Sequence, residues 1–132
     1  MDTNMDTRMT TYEIHLALCV ETVDIWNNPK KVSQLCYADM LDDYNQILEP
    51  HAFNDTNPSA EEWDRVIAGL SFLQKAGLKI SAIVKRAKTL AAHPEYFDAE
   101  LNKEQRIAYD KHWDKSCIEY HTKATKKKVN KP

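Results

Sequence analysis

Asp110, Asp114, Cys117 and His121 stand at i, i+4, i+7 and i+11, a spacing that sets four metal-ligating side-chain types on one face of a helix. At a rise of about 1.5 Å per residue the end positions are about 16 Å apart, too far to converge on one ion. Cys117 also falls in an aromatic stripe, where a small buried thiol is the ordinary occupant. No metal or cofactor site is assigned. Hydrolytic nucleophiles are equally hard to place, because the chain has no G-x-S-x-G, no phosphate-cradling Gly-rich loop, and no carboxylate pair set apart from the acidic surface of residues 39–64. Cys19, Cys36 and Cys117 are an odd number without a CxxC pair, so they read as reduced thiols and not as a disulfide framework or a zinc knuckle. No catalytic residue is assigned, and the chain reads as a non-enzyme.

Charge offers the better candidates. Residues 1–64 hold 13 acidic and 3 basic side chains, a net −10, whereas residues 65–132 hold 7 acidic and 15 basic ones, a net +8, consistent with the overall −2. If the halves face each other they neutralise in part; what remains unpaired is available to a partner. The acidic set is Asp39, Asp42, Asp43, Glu61, Glu62 and Asp64, a surface that imitates nucleic acid towards a basic protein groove. The basic set is Lys79, Lys85, Arg86 and Lys88 with Lys126, Lys127 and Lys128 of the tail, a set suited to phosphates.

The elements that must position these residues are helical. Two glycines in 132 residues are too few for the turns of an all-β or α/β fold. The expectation is an all-α, single-domain bundle of about five helices with a central helical hairpin, made of a flexible N-terminus (1–10), a helical domain (11–124) and a basic tail (125–132). Its strongest signal runs from Ser59 to His93, where Trp63, Val66, Leu70, Leu73, Gly77, Ile80, Val84, Ala87 and Ala91 alternate by three and four. Ser59 and Glu62 have capping-box spacing at its start. Gly77 as a left-handed stop would set Leu73 and Leu78 in contact and break the stretch into two helices; otherwise it continues as one rod about 45 Å long. The break is favoured, since a glycine inside a helix is unfavourable by about 1 kcal/mol.

Before the hairpin, Thr11 to Trp26 carries two apolar stripes, Tyr12-Leu16-Cys19-Val23-Trp26 and Ile14-Leu18-Ile25, as expected of a helix in the middle of a bundle. Asn28-Pro29 starts a second helix that ends near Leu48, with a loop from Glu49 to Pro58. After His93-Pro94 and a turn with Tyr96 and Phe97, a last helix starts near Asn102 and carries Tyr109, Trp113, Cys117, Tyr120 and Ala124. Trp26, Trp63 and Trp113 are expected to be buried at least in part.

Several stretches are similar to known families. With Gly77 in the turn, residues 63–92 resemble a helix-turn-helix, which implies DNA binding with Lys79, Lys85, Arg86 and Lys88 on phosphates; its second buried anchor position, however, falls on Arg86. His93-Pro94-Glu95 after Lys85, Arg86 and Lys88, with Arg106-Ile107-Ala108-Tyr109-Asp110 later, resembles a J-domain, but Glu95 replaces the family's Asp and the spacing is too short. Val20 to Tyr44 faintly resembles the opening of nuclear-transport-factor-like cones, whose curved sheet does not follow here. Arg106 and His112 match the R-x4-6-H spacing of HEPN ribonucleases, which implies action on a phosphate and a 2′-hydroxyl, although Arg86 with His93 and Arg8 with His15 match it too.

The reading that results is a small non-catalytic regulatory or inhibitory protein of the mobile-element or phage type, docking a protein partner through a charged helical face. The alternatives are a nucleic-acid-binding regulator that uses the hairpin and, behind it, a HEPN-like ribonuclease. Self-association as a homodimer is compatible with either docking mode. No apolar run approaches a membrane span, and the first fifteen residues carry Asp2, Asp6 and Glu13 without a signal-peptide core, so a cytoplasmic protein with no membrane partner is expected.

Overall fold

The computed structural model describes residues 8–111. Thr10 caps α1 (Thr11–Asn27), its hydroxyl accepting from the Glu13 amide at 3.1 Å. Ile14, Leu18 and Ile25 of α1 enter the core. Of the other expected stripe Tyr12 is buried at 1% exposure, whereas Val23 and Trp26 are 46% and 51% exposed. The reason is topological: α1 packs on α2, on the Pro29–Gln34 turn and on α4, and these contacts leave Val23 and Trp26 partly uncovered. Trp26, expected to be core or partly buried, is thus about half exposed on the surface, while Trp63 is fully buried.

Asn28 caps Pro29 as expected, but what it starts is a 3-10 turn, Pro29–Gln34, bent at Lys31. Helix α2 (Leu35–Asn54) follows, and it continues through the first part, 49–54, of the region expected to be a loop, leaving 55–58 non-helical. Pro50 cannot donate to the carbonyl one turn back, yet it stands on the exposed side, where water can satisfy that carbonyl. Leu48 and Ala52 on the opposite side are fully buried, which holds the last turns in place. The helix stops at Asp55, a left-handed residue (φ 58°) whose amide returns to the His51 carbonyl.

The hairpin forms as its local signals require. Ser59 Oγ accepts from the Glu62 amide at 3.2 Å while the Glu62 carboxylate accepts from the Ser59 amide at 2.9 Å, closing the capping box of α3 (Ala60–Lys75). Gly77, at φ +115°, ends α3: its amide reaches the Gln74 carbonyl at 3.1 Å, and the Leu78 amide reaches that of Leu73 at 3.1 Å, the paired bonds of a Schellman stop. Helix α4 (Ser81–Ala92) returns with Ile83, Val84, Ala87 and Leu90 buried. On α3, Trp63, Val66, Leu70 and Leu73 face inward, and Gly69 lets the Tyr44 ring of α2 lie directly on the backbone.

The chain closes on its own beginning. After a 3-10 turn at Pro94–Tyr96, Phe97 forms an isolated parallel bridge with Met9, in which the Met9 amide donates to Tyr96 and the Asp98 amide to Met9. Residues 8–10, at the edge of the segment expected to be flexible, are thus tied down. Asp98, not Asn102, caps the last helix, α5, which runs from residue 99 and is described to residue 111: its carboxylate accepts from the Leu101 amide at 2.9 Å. Asn102 is instead fully buried inside that helix. The architecture is an all-α single-domain bundle with a central helical hairpin, and the isolated bridge is the only β pairing among the described residues.

The two glycines should behave differently on substitution. A Cβ on Gly69 would sit 2.0 Å from Tyr44 Cζ, so Gly69→Ala must displace a packed ring and should destabilise the domain by about 1–3 kcal/mol. Gly77→Ala meets nothing within 4 Å and carries only left-handed strain, about 1 kcal/mol. Urea unfolding of the two variants checks the order.

Candidate docking face

Helices α1 and α2 run antiparallel, in a register set by the ring of Tyr12 on Phe53 and by His15 and Cys19 on Asn45. Along the solvent side of their seam α1 contributes Cys19, Val23 and Trp26, and α2 contributes Leu35, Asp39, Asp42, Glu49 and Phe53. Asp42 and Glu49 flank Cys19. Burial is the main cause that pushes this thiol's pKa up, and the two carboxylates push it the same way, opposed by the hydrogen bond from Asn45. An open recess of about 510 Å³ lined by Gln46, Glu49, Pro50 and Phe53 continues the seam along α2.

Carboxylates elsewhere on the domain are paired in part, and Glu21, Glu61 and Asp64 have no ion pair among the described residues. Glu13 pairs with Arg86 at 2.8 Å, Asp55 with Arg106 at 3.0 Å, Asp98 with Arg8 at 2.9 Å and Glu62 with His51 at 3.0 Å. Asp39, Asp43 and Glu49 have no ion pair among the described residues, and Asp42 accepts only from the Gln46 amide, at 3.1 Å. The two charged halves therefore do meet, through Arg86–Glu13 and Arg106–Asp55, but that neutralisation stops short of α2.

Only part of the acidic set proposed from sequence comes together. Asp39, Asp42 and Asp43 share the α2 surface, whereas Glu61 and Asp64 are exposed at the start of α3, level with His51 and about 13 Å along α2 from Asp42. Glu62 is committed to the capping box and to His51; the Ser59 amide first and His51 second hold its carboxyl below the usual range. In the basic set, Lys79 is exposed in the turn, and Lys85 and Lys88 are exposed on α4. Arg86 is spent on Glu13. Lys126, Lys127 and Lys128 lie outside the described residues, as do His112, Asp114, Cys117 and His121. Arg106, the other half of the ribonuclease pair, donates from Nε and Nη2 to Asp55 at 3.3 and 3.0 Å.

The sequence reading missed a polar cluster beneath the seam. His15 (6% exposed) and Asn45 (5% exposed) are buried side by side, with His15 Nδ1 2.9 Å from Asn45 Oδ1. Asn45 Nδ2 donates to Cys19 Sγ at 3.1 Å, and His15 Nε2 stands 3.9 Å from the same sulfur. His15 and Cys19 are one turn apart, a signal within reach of the sequence; Asn45 comes from another helix and has no spacing to give it away.

No described helix is long and apolar enough to cross a membrane, and no group of three or more His, Cys, Asp or Glu side chains among the described residues converges as a metal site. Compared with protein-family models, with curated proteins and with solved structures, the chain matches none.

The paired carboxylates set the acid limit of the fold. Asp55, Glu62 and Asp98 are each held below the usual carboxylate range, by Arg106, by the Ser59 amide and by the Leu101 amide first. Their stabilisation is complete above the unfolded-chain value of about 4 and disappears as pH falls through it towards the lower native values. Melting temperature should be flat from pH 7 to about 5 and fall below about 4, and Asp55→Asn should melt lower at pH 7 and respond less to acid.

Proposed function

We propose that the protein is a small non-catalytic regulator or inhibitor that docks a basic macromolecular partner on the α1–α2 seam. The observation that carries this reading is the run of carboxylates without ion pairs, Asp39, Asp42, Asp43 and Glu49, beside the exposed apolar side chains of Val23, Trp26 and Leu35. Apolar area of this kind supplies affinity once covered, and single-sign charge around it steers a cationic surface into place and rejects anionic ones. An amphipathic segment rich in Lys and Arg has the matching chemistry: its apolar side meets Trp26 and Val23, and its cations meet the α2 carboxylates.

Lys79, Lys85 and Lys88 have no ion pair among the described residues and support a second reading, nucleic-acid binding by the α3–turn–α4 hairpin. One titration series separates the two. With a Lys/Arg-rich amphipathic helical peptide, binding should weaken with salt, Trp26→Ala should lower affinity by ten- to a hundredfold, and Asp39→Lys with Asp43→Lys should abolish it. Duplex DNA or structured RNA that binds tightly, loses affinity steeply with salt and is lost on Lys85→Glu would move the function to α4. Peptide binding unchanged by the α2 reversals would end the docking reading.

A further inference from the structure

We infer that Cys19 Sγ and His15 Nε2 form a two-ligand site for a soft monovalent d10 cation of the copper(I) class, set in the floor of the α1–α2 seam. The ligands are one helical turn apart on α1, so the helix itself fixes their spacing. At 3.9 Å, sulfur and nitrogen are at the far edge of hydrogen-bond reach. The same gap suits an ion: with metal–sulfur and metal–nitrogen bonds of about 2.3 and 2.0 Å, a separation of 3.9 Å leaves an angle of about 130° at the metal, opened from tetrahedral towards the linear geometry of two-coordinate d10 ions.

Asn45 completes the site from the facing helix. Its Oδ1 takes the Nδ1–H of His15, which leaves the Nε2 lone pair turned towards sulfur, and its Nδ2 donates to the sulfur itself. This is the outer-shell support that orients metal-bound imidazole and steadies metal-bound thiolate. The rings of Tyr12 and Phe53 wall in the imidazole, at 6.0 and 5.5 Å between centroids.

Charge selects the ion. Thiolate, neutral imidazole and a monovalent ion sum to zero, so the assembled site brings no net charge into the half-buried seam. A divalent ion would leave an uncompensated positive charge and would lack ligands, because no third His, Cys, Asp or Glu among the described residues joins a metal-binding group. Soft thiolate sulfur is among the ligands that select copper(I), and imidazole also suits copper. Cys19 is half-buried, not sealed, and Asp42 and Glu49 act on its sulfur, so an approaching cation is drawn inward. On binding, the S–H bond breaks, S–metal and N–metal bonds form, and the thiol proton leaves to solvent; no electron is transferred.

The test uses the full chain carrying Cys36→Ser and Cys117→Ser, so that Cys19 is its one thiol, titrated anaerobically with copper(I) against a chromophoric chelator. One ion should bind per chain with release of one proton, and the nitrogen resonance of His15 Nε2 should shift on binding. Cys19→Ser should abolish binding, and His15→Gln and Asn45→Ala should each weaken it ten- to a hundredfold. Absence of binding, or binding that leaves His15 Nε2 unmoved, would overturn the inference in favour of a plain thiol. The nitrogen readout needs no substitution at His15, so it decides the matter even where His15→Gln fails to fold.

Discussion

The buried amide of Asn102 is the constraint on which the arrangement of the helices rests. Its Oδ1 accepts from the Tyr12 amide at 2.8 Å, and its Nδ2 donates to the Ala52 carbonyl and to Asp55 Oδ1, each at 2.8 Å. One fully buried side chain of α5 thereby joins the first turn of α1 to the last turn of α2. A buried amide with unmet partners is unfavourable by about 1–3 kcal/mol per group, so the three elements cannot slide without breaking the set together. Arg106, one turn further along α5, grips the same Asp55 from outside. With the ends of α1 and α2 fixed, His15 and Cys19 must fall opposite Asn45, and the acidic side of α2 must flank the exposed side of α1.

The topology also explains which charges stay unpaired. Arg86 of α4 reaches Glu13 of α1, and Arg106 of α5 reaches the end of α2. The middle of α2 lies beyond both, because α1 and α3 each contact α2 and α4 while α2 and α4 barely touch. The cations Lys85 and Lys88 and the carboxylates Asp39 and Asp43 thus occupy opposite sides of the bundle. Exposed charges separated by a domain's width are screened from one another at physiological salt, so neither set relieves the other.

What the sequence disclosed follows from the range of the interactions involved. The Ser59–Glu62 box and the Gly77 stop are complete within a few residues, and both formed where their spacing placed them. The hairpin core was legible for the same reason, as a periodic pattern along one stretch. Pro50 misled because a proline ends a helix only where its carbonyl partner cannot reach water, and exposure is a tertiary fact. Asn102 and Gly69 looked like a cap and an unremarked small residue; their roles depend on Ala52, Asp55 and Tyr44, which are remote in sequence. Trp26 was placed by the second apolar stripe of α1, and periodicity does not say which of two stripes will find a neighbour along its whole length. Of the acidic set, the α2 members stayed together because one helix carries them, and Glu61 and Asp64 separated because the antiparallel turn moves them to the far end.

The seam between α1 and α2 is where the fold leaves its own rules unsatisfied. Its inner side is closed by Ile14, Leu18, Leu41 and Leu48, all nearly free of solvent. Its outer side exposes Trp26 and Val23 of α1, while beneath it His15 and Asn45 are buried side by side. Those two satisfy each other and help fix the register of the two helices, whereas the exposed tryptophan beside carboxylates without ion pairs has no such part in the fold. Both features lie along one groove and on the same two helices, whose relative position Asn102 locks from the far end. A seam with an apolar outer strip, one sign of charge and a polar floor held between two fixed helices is the surface that the proposed docking would use.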